Sequence, residues 1–198
     1  MVYFFETVKT SFADVPITEK NAVAVEPFIA ATEDLIRLFD FLNGTAFAPV
    51  KSDMSGNIKK IRERYDKNPS QYPSLQSLVL DEVNLPQKQR VATEGVLWLR
   101  RGMEFTSAAL RRNLTDKSEE LSVSFSKAYE VTLQKHHNMF IRPIFSLAMK
   151  ACPARVEFYR KVGGEDLVAT YALIEPWLAG LEKIVQILNA FYAENKFE

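Results

Sequence analysis

The chain reads as an all-α protein on three observations. Only seven glycines punctuate its 198 residues. Apolar residues recur mostly at i, i+3 and i+4, the repeat of one helix face, while the period-2 alternation of strands is rare. Caps and breakers fall where those stripes stop.

The first clear helix opens near Pro27, a residue suited to a first turn. It runs through Ile29, Leu35, Leu38, Phe39 and Leu42, and Asn43-Gly44 ends it. A second starts near Pro49, with Val50, Met54, Ile58, Ile61 and Tyr65 as its apolar stripe, and Asn68-Pro69 stops it. Tyr72 to Leu85 gives a short helix, and Pro86 opens a long one reaching Leu114. Thr115 to Ser118 is a polar turn. Ser118 with Glu119 and Glu120 then starts a helix that continues to Ala151, before Cys152-Pro153. Pro143 lies deep inside that segment and is expected to kink or break it, because it cannot donate to the carbonyl of Met139. Gly163-Gly164 is the next break, and a last helix covers Asp166 to Glu194. Helices of about 30 residues span roughly 45 Å. They need partners of similar length, so layered long helices are expected in one domain over residues 1–198.

Composition narrows the function. Lys plus Arg equals Asp plus Glu at 25 each, so the basic excess of a nucleic-acid binder is missing. Hydrophobic residues make up 47% of the chain and 14 are Phe, which is more aromatic bulk than a core of this size needs. Cys152 is the single cysteine, so neither an internal disulfide nor a cysteine metal cluster can form. The start, Met1 to Glu6, has no basic region and makes a poor signal peptide. A run of about 18 uncharged apolar residues is lacking too. A cytoplasmic protein is expected.

Enzyme motifs fail. His136-His137 lacks a zinc-binding pattern, there is no nucleophile elbow or phosphate-cradling loop, and Cys152 has no evident activating partner. Glu119-Glu120 and Glu165-Asp166 sit at helix starts, where the dipole accounts for them.

Five other residues stand out. At about 100° per residue, Asp53, Asn57 and Lys60 share an arc of about 60° beside the apolar stripe. They combine an acceptor, an amide and a cationic donor, the mixture that sugar hydroxyls need. Solvated polar residues would look the same. Gly56 beside them, and Gly102 four residues after Trp98, would leave room for a ligand or a neighbouring helix. Trp98 reads either as core or as a flat platform for a sugar ring. His137 shares a stripe with Leu133, Ile141, Ile144 and Ala148, and reads either as a satisfied core histidine or as a neutral donor to a carbonyl.

Taken together, Asp53-x-x-x-Asn57-x-x-Lys60, Trp98-Leu99-Arg100-Arg101-Gly102, Ala128-Tyr129-Glu130, His137, Phe145 and Ala151-Cys152-Pro153 resemble the glycolipid transfer protein family. The likeness covers nearly the whole chain and is nearest to fungal members linked to heterokaryon incompatibility. It implies a two-layer all-helical sandwich that carries one simple glycosylceramide between membranes and catalyses nothing. On that resemblance Asp53, Asn57 and Lys60 bind the first sugar and Trp98 stacks on it. Asp53 takes the ceramide N–H and His137 donates to the carbonyl. Phe39, Phe47, Val50, Leu133 and Phe145 line a tunnel for the chains. A sister branch that moves ceramide phosphate puts cations where Asn57 and Trp98 stand, which favours sugar here. The other readings are a sensor using the same pocket and signalling through a protein partner, a ceramide-phosphate carrier, and a helical scaffold with no ligand.

Departures from the animal proteins are also visible. Met139, followed by Phe140, replaces a membrane-docking tryptophan and still offers apolar bulk to lipid. Glu94 and Lys150 stand at positions that are apolar or aromatic there. The implied partners are a glucosyl-, galactosyl- or lactosylceramide and a passing membrane surface. The carrier is expected to be a monomer with no cofactor, no metal and no nucleic acid.

Overall fold

The computed structural model describes residues 2–197. Among them the helices are α1 (Phe4–Thr7), α2 (Val25–Asn43), α3 (Ala48–Tyr65), α4 (Leu75–Asp81), α5 (Val91–Thr115), α6 (Leu121–Val131), α7 (Ile141–Lys150), α8 (Arg155–Gly163) and α9 (Leu167–Asn195). They form a two-layer, all-helical sandwich, the expected fold class. The long element α5, 25 residues, lies against α3, α4, α6 and α9, and α2 lies against α1, α3 and α8.

The start of α5 is fixed by a buried acid. Glu82 accepts from the N–H groups of Ala92 (3.1 Å) and Thr93 (2.8 Å) and from the Thr93 hydroxyl (2.8 Å). These are donors that the first turn of a helix leaves unpaired. Helix α5 therefore begins at Val91, and the expected opening at Pro86 becomes a 3-10 turn, Gln87–Gln89. Likewise the segment expected as Tyr72 to Leu85 is helical only over α4, after a 3-10 turn at Pro69–Gln71.

Two expectations are corrected. The single helix from Ser118 to Ala151 is broken. α6 stops at Val131, a 3-10 turn covers Gln134–His136, and α7 starts at Ile141. Asn138 explains the restart, because its Oδ1 accepts from the N–H of Phe140 (2.9 Å) and of Ile141 (3.1 Å). Pro143 thus lies in the first turn of α7, where its missing N–H breaks no helical bond, and it bends nothing. The second correction is α8, a helix not foreseen. Its buried face is Arg155, Phe158, Tyr159 and Val162, a helical stripe that opens on an arginine. That arginine donates through Nη1 to the Tyr171 hydroxyl (2.8 Å), and Tyr159 donates to Asn113 Oδ1 (3.0 Å). Buried polar groups are tolerated when paired in this way.

Candidate functional site

Helices α3 and α5 cross at Gly95. A Cβ there would stand 2.8 Å from the Asn57 carbonyl oxygen and 3.1 Å from Lys60 Cβ. Only a glycine lets the two backbones come this near. The crossing sets Asn57 and Lys60 of α3 against α5, where Glu94 pairs with Lys60 and Trp98 follows Gly95 by three residues. Within the trio, buried Asn57 donates through Nδ2 to the Asp53 carbonyl (3.0 Å) and to its carboxylate Oδ2 (3.2 Å). Lys60 Nζ lies 3.2 Å from Glu94 Oε1. Glu94 is exposed, so it belongs to this polar rim. By contrast, Gly56 and Gly102 border open space, and no helix approaches either one.

Trp98 is half-buried. The Arg101 guanidinium carbon sits 5.0 Å from its ring centre. On the other element that reaches it, His137, the rings are nearly parallel with centres 6.1 Å apart. His137 is not on a helix, contrary to expectation. It lies in extended backbone between the 3-10 turn and α7. Two contacts fix it. Its Nδ1 is 3.0 Å from the Tyr129 hydroxyl, and its carbonyl accepts from Arg142 Nε at 2.9 Å.

These surroundings set the charge of the site. Burial, helped by His136 and Arg142, holds the His137 imidazole down at about 4, so it is neutral at physiological pH. A Tyr129 O–H donated to Nδ1 leaves the proton on Nε2, free to donate elsewhere. Asp53, although solvent reaches it, is raised by the protein packed around it, and Lys60 opposes that rise. Elsewhere, burial pushes the Cys152 thiol up to about 12, so it is not a thiolate at neutral pH. Glu119 accepts from Arg112 and Lys127 and is held down at about 2, an ion-pair cluster beyond the helix-dipole role expected for it.

Below the rim the interior is aromatic. From His137 the rings run in contact order to Phe145 (4.4 Å between centres), Tyr129 (5.5 Å), Phe105 (6.0 Å), Phe125 (5.7 Å), Phe47 (6.2 Å) and Phe39 (5.4 Å). Phe39, Phe47, Val50, Leu133 and Phe145 are all buried in one core cluster. Met139 and Phe140 are exposed at 74% and 75%. Gly95 and Arg142 escaped sequence reasoning, and Tyr129 entered it only as part of a motif, with no role. Gly95 gave no signal beyond its size. Tyr129 and Arg142 are eight and five residues from His137, spacings that mean nothing once the helix between them is broken.

A polar rim over a continuous aromatic interior is the arrangement of a protein that holds an amphiphile. The glycolipid transfer protein model matches residues 23–164. A glycolipid transfer protein of Aureobasidium melanogenum is 51% identical over 193 residues, covering 98% of this chain and 94% of that one. The human pleckstrin homology domain-containing family A member 8 is 32% identical, and this chain spans 39% of its length. The crystal structure of HET-C2, a fungal glycolipid transfer protein, superposes with a TM-score of 0.91 at 45% identity, covering 96% of each chain. The chain belongs to the glycolipid transfer protein family. No helix among the described residues is long and apolar enough to cross a membrane.

Proposed function

We propose that this chain carries a simple glycosylceramide between membranes as a single-domain monomer working in the cytoplasm, without making or breaking a bond. The observation that supports the reading is the crossing at Gly95, where Asn57 and Lys60 pack against α5, Asp53 is tied to Asn57, and Trp98 follows three residues along α5. Asp53, Asn57 and Lys60 hydrogen-bond the first sugar, and Trp98 stacks on its C–H face. Asp53 accepts from the ceramide N–H while Nε2 of His137 donates to its carbonyl. The chains enter by parting the rings from Phe145 to Phe39, beside Val50 and Leu133. Met139 and Phe140 meet the membrane during exchange.

The energetics fit a carrier. A buried methylene is worth about 0.8 kcal/mol, so a long acyl chain needs on the order of 10 kcal/mol to enter water. An apolar interior removes that penalty and leaves selection to the head group. Lys60 is already neutralised by Glu94, which favours an uncharged head over a phosphate.

The test is transfer between vesicles across galactosylceramide, ceramide phosphate and phosphatidylcholine. Galactosylceramide should move fastest, and Asp53→Val should slow it by about tenfold or more, since hydrogen bonds to a charged group contribute roughly 1.5–3 kcal/mol. A wild-type protein that moves none of these lipids refutes the reading. A folded Asp53→Val protein with unchanged transfer removes that residue from the site.

A further inference from the structure

Of the head-group residues Asp53, Asn57, Lys60, Trp98 and His137, only His137 is not carried by a helix. On open backbone the direction of a side chain is set by the two peptide planes that flank its Cα. Both planes of His137 are tied. Its N–H donates to the Gln134 carbonyl at 3.1 Å, and its carbonyl accepts from Nε of Arg142 at 2.9 Å. Two more contacts settle the ring: the Tyr129 hydroxyl 3.0 Å from Nδ1, and the Phe145 ring with centres 4.4 Å apart. Tyr129 and Phe145 are buried, whereas Arg142 is exposed. One of the four holds on a ligand-binding imidazole is thus supplied by a surface side chain that no packing keeps in place.

The local chain is arranged to bring Arg142 there. Asn138 Oδ1 accepts from the N–H groups of Phe140 and Ile141, so α7 begins directly after His137. Arg142, in the first turn, can then reach back five residues. No acid competes for it. Among the described residues Arg142 forms no ion pair, although Glu130 borders the same groove between α6 and α7. Other surface arginines do find carboxylates: Arg62 takes Glu26, Arg111 takes Glu175 and Glu182, and Arg112 takes Glu119. Since Tyr129 belongs to α6 and Arg142 to α7, His137 hangs between two helices, its ring tied to one and its carbonyl to the other.

We propose that Arg142 is a positioning residue for the ligand carbonyl, its Nε holding the His137 peptide so that Nε2 of the imidazole stays aimed at that carbonyl. The proposal rests on the carrier reading and deepens it, because a residue that touches no lipid then tunes the grip on the amide. The hydrogen bond does this work, and the charge of the guanidinium does not.

Two variants separate bond from charge. Arg142→Gln keeps an N–H donor on the same Cδ and drops the charge, while Arg142→Leu ends at Cδ with no donor. Binding of a dispersed short-chain galactosylceramide is followed by calorimetry without vesicles, so that contact with a membrane plays no part. The protonated ring nitrogen of His137 is read by NMR on the empty protein. Wild type should show one tautomer, with the proton on Nε2. Arg142→Leu should lose affinity by roughly two- to tenfold, the worth of one hydrogen bond, and its ring signals should report a mixture of tautomers. Arg142→Gln should keep one tautomer and most of the affinity. Melting temperatures should barely move, since the position is exposed. Wild-type affinity and tautomer in Arg142→Leu overturn the proposal. So does an Arg142→Gln protein as weak as Arg142→Leu, which would make charge the cause. A lowered melting temperature with an unchanged tautomer would reduce Arg142 to a structural part and overturn it too. Wild type that binds no galactosylceramide refutes the carrier reading, while the ring signals still decide whether Arg142 orients His137.

Discussion

The candidate site has two halves built in different ways. Asp53, Asn57, Lys60 and Trp98 stand on α3 and α5, two helices locked together at a glycine crossing. His137 stands on a connection of nine residues, 132–140, held by the Tyr129 hydroxyl and by Arg142. The same connection ends in the bare Met139 and Phe140. Helices position groups more firmly than loops do. On the proposed function, the comparison separates a fixed half that would read the sugar and take the amide N–H from a more adjustable half that would meet the membrane and donate to the amide carbonyl. Specificity would then belong to the first, and timing of uptake and release to the second.

The sharpest way to break this division is to damage the fixed half. Trp98→Ala removes the platform. A sugar covering about 100 Å² of indole gains about 2.5 kcal/mol, so transfer should fall by roughly 50- to 100-fold. Trp98 is only half-buried, so the melting curve should show a folded protein. Unchanged transfer would end the stacking role. Next comes Gly95→Val, which forces a side chain against the Asn57 carbonyl. Overpacking of this sort destabilises by about 1–3 kcal/mol. A chemical denaturation curve should show that loss, with transfer falling alongside it. Wild-type stability would mean that the crossing tolerates more space than 2.8 Å suggests.

The two halves were also unequally legible. The stripe Val50, Met54, Ile58, Ile61 survives in α3, and the polar trio flanks it, because both depend only on helix geometry. The connection at 132–140 was hidden by its own residues. Leu133, His137, Ile141 and Ile144 keep helical spacing across a break. The signal that could have shown it was Asn138 followed by Pro143, a cap and a first-turn proline, which read as a mid-helix bend when the apolar repeat was given priority. Helix α8 was missed for a related reason, since a buried arginine occupies the first place of its stripe. Gly95 was illegible because a close approach of two helices is a tertiary fact.

A smaller change sharpens the adjustable half. Tyr129→Phe removes the hydroxyl beside Nδ1 of His137 and leaves the ring packing between Phe105 and Phe145 in place. One such hydrogen bond contributes about 0.5–1.5 kcal/mol net, so transfer should drop by roughly two- to tenfold with selectivity among sugars unchanged. A shift in sugar preference would mean that the loop takes part in reading the head group.

The pH profile gives the smallest effect and the most direct look at His137. Burial lowers its folded value to about 4 from an ordinary 6.5. The neutral ring is therefore favoured in the folded state, and the unfolded chain binds the proton first as pH falls. Stability from this residue is complete above about pH 6.5 and is lost as pH drops through that window towards 4. Transfer follows the ring that does the donating, so it should stay flat from neutral pH down to about 5 and fall only as protonation begins near 4. His137→Gln, which keeps a donor but cannot titrate in this range, should remove the His137 share of that acid limb and leave the share that belongs to the Asp53 carboxyl, which burial raises into the same acid range. A fall centred near 6.5 in wild type would show that the imidazole is open to water, and the wall between rim and interior would then not be closed at His137.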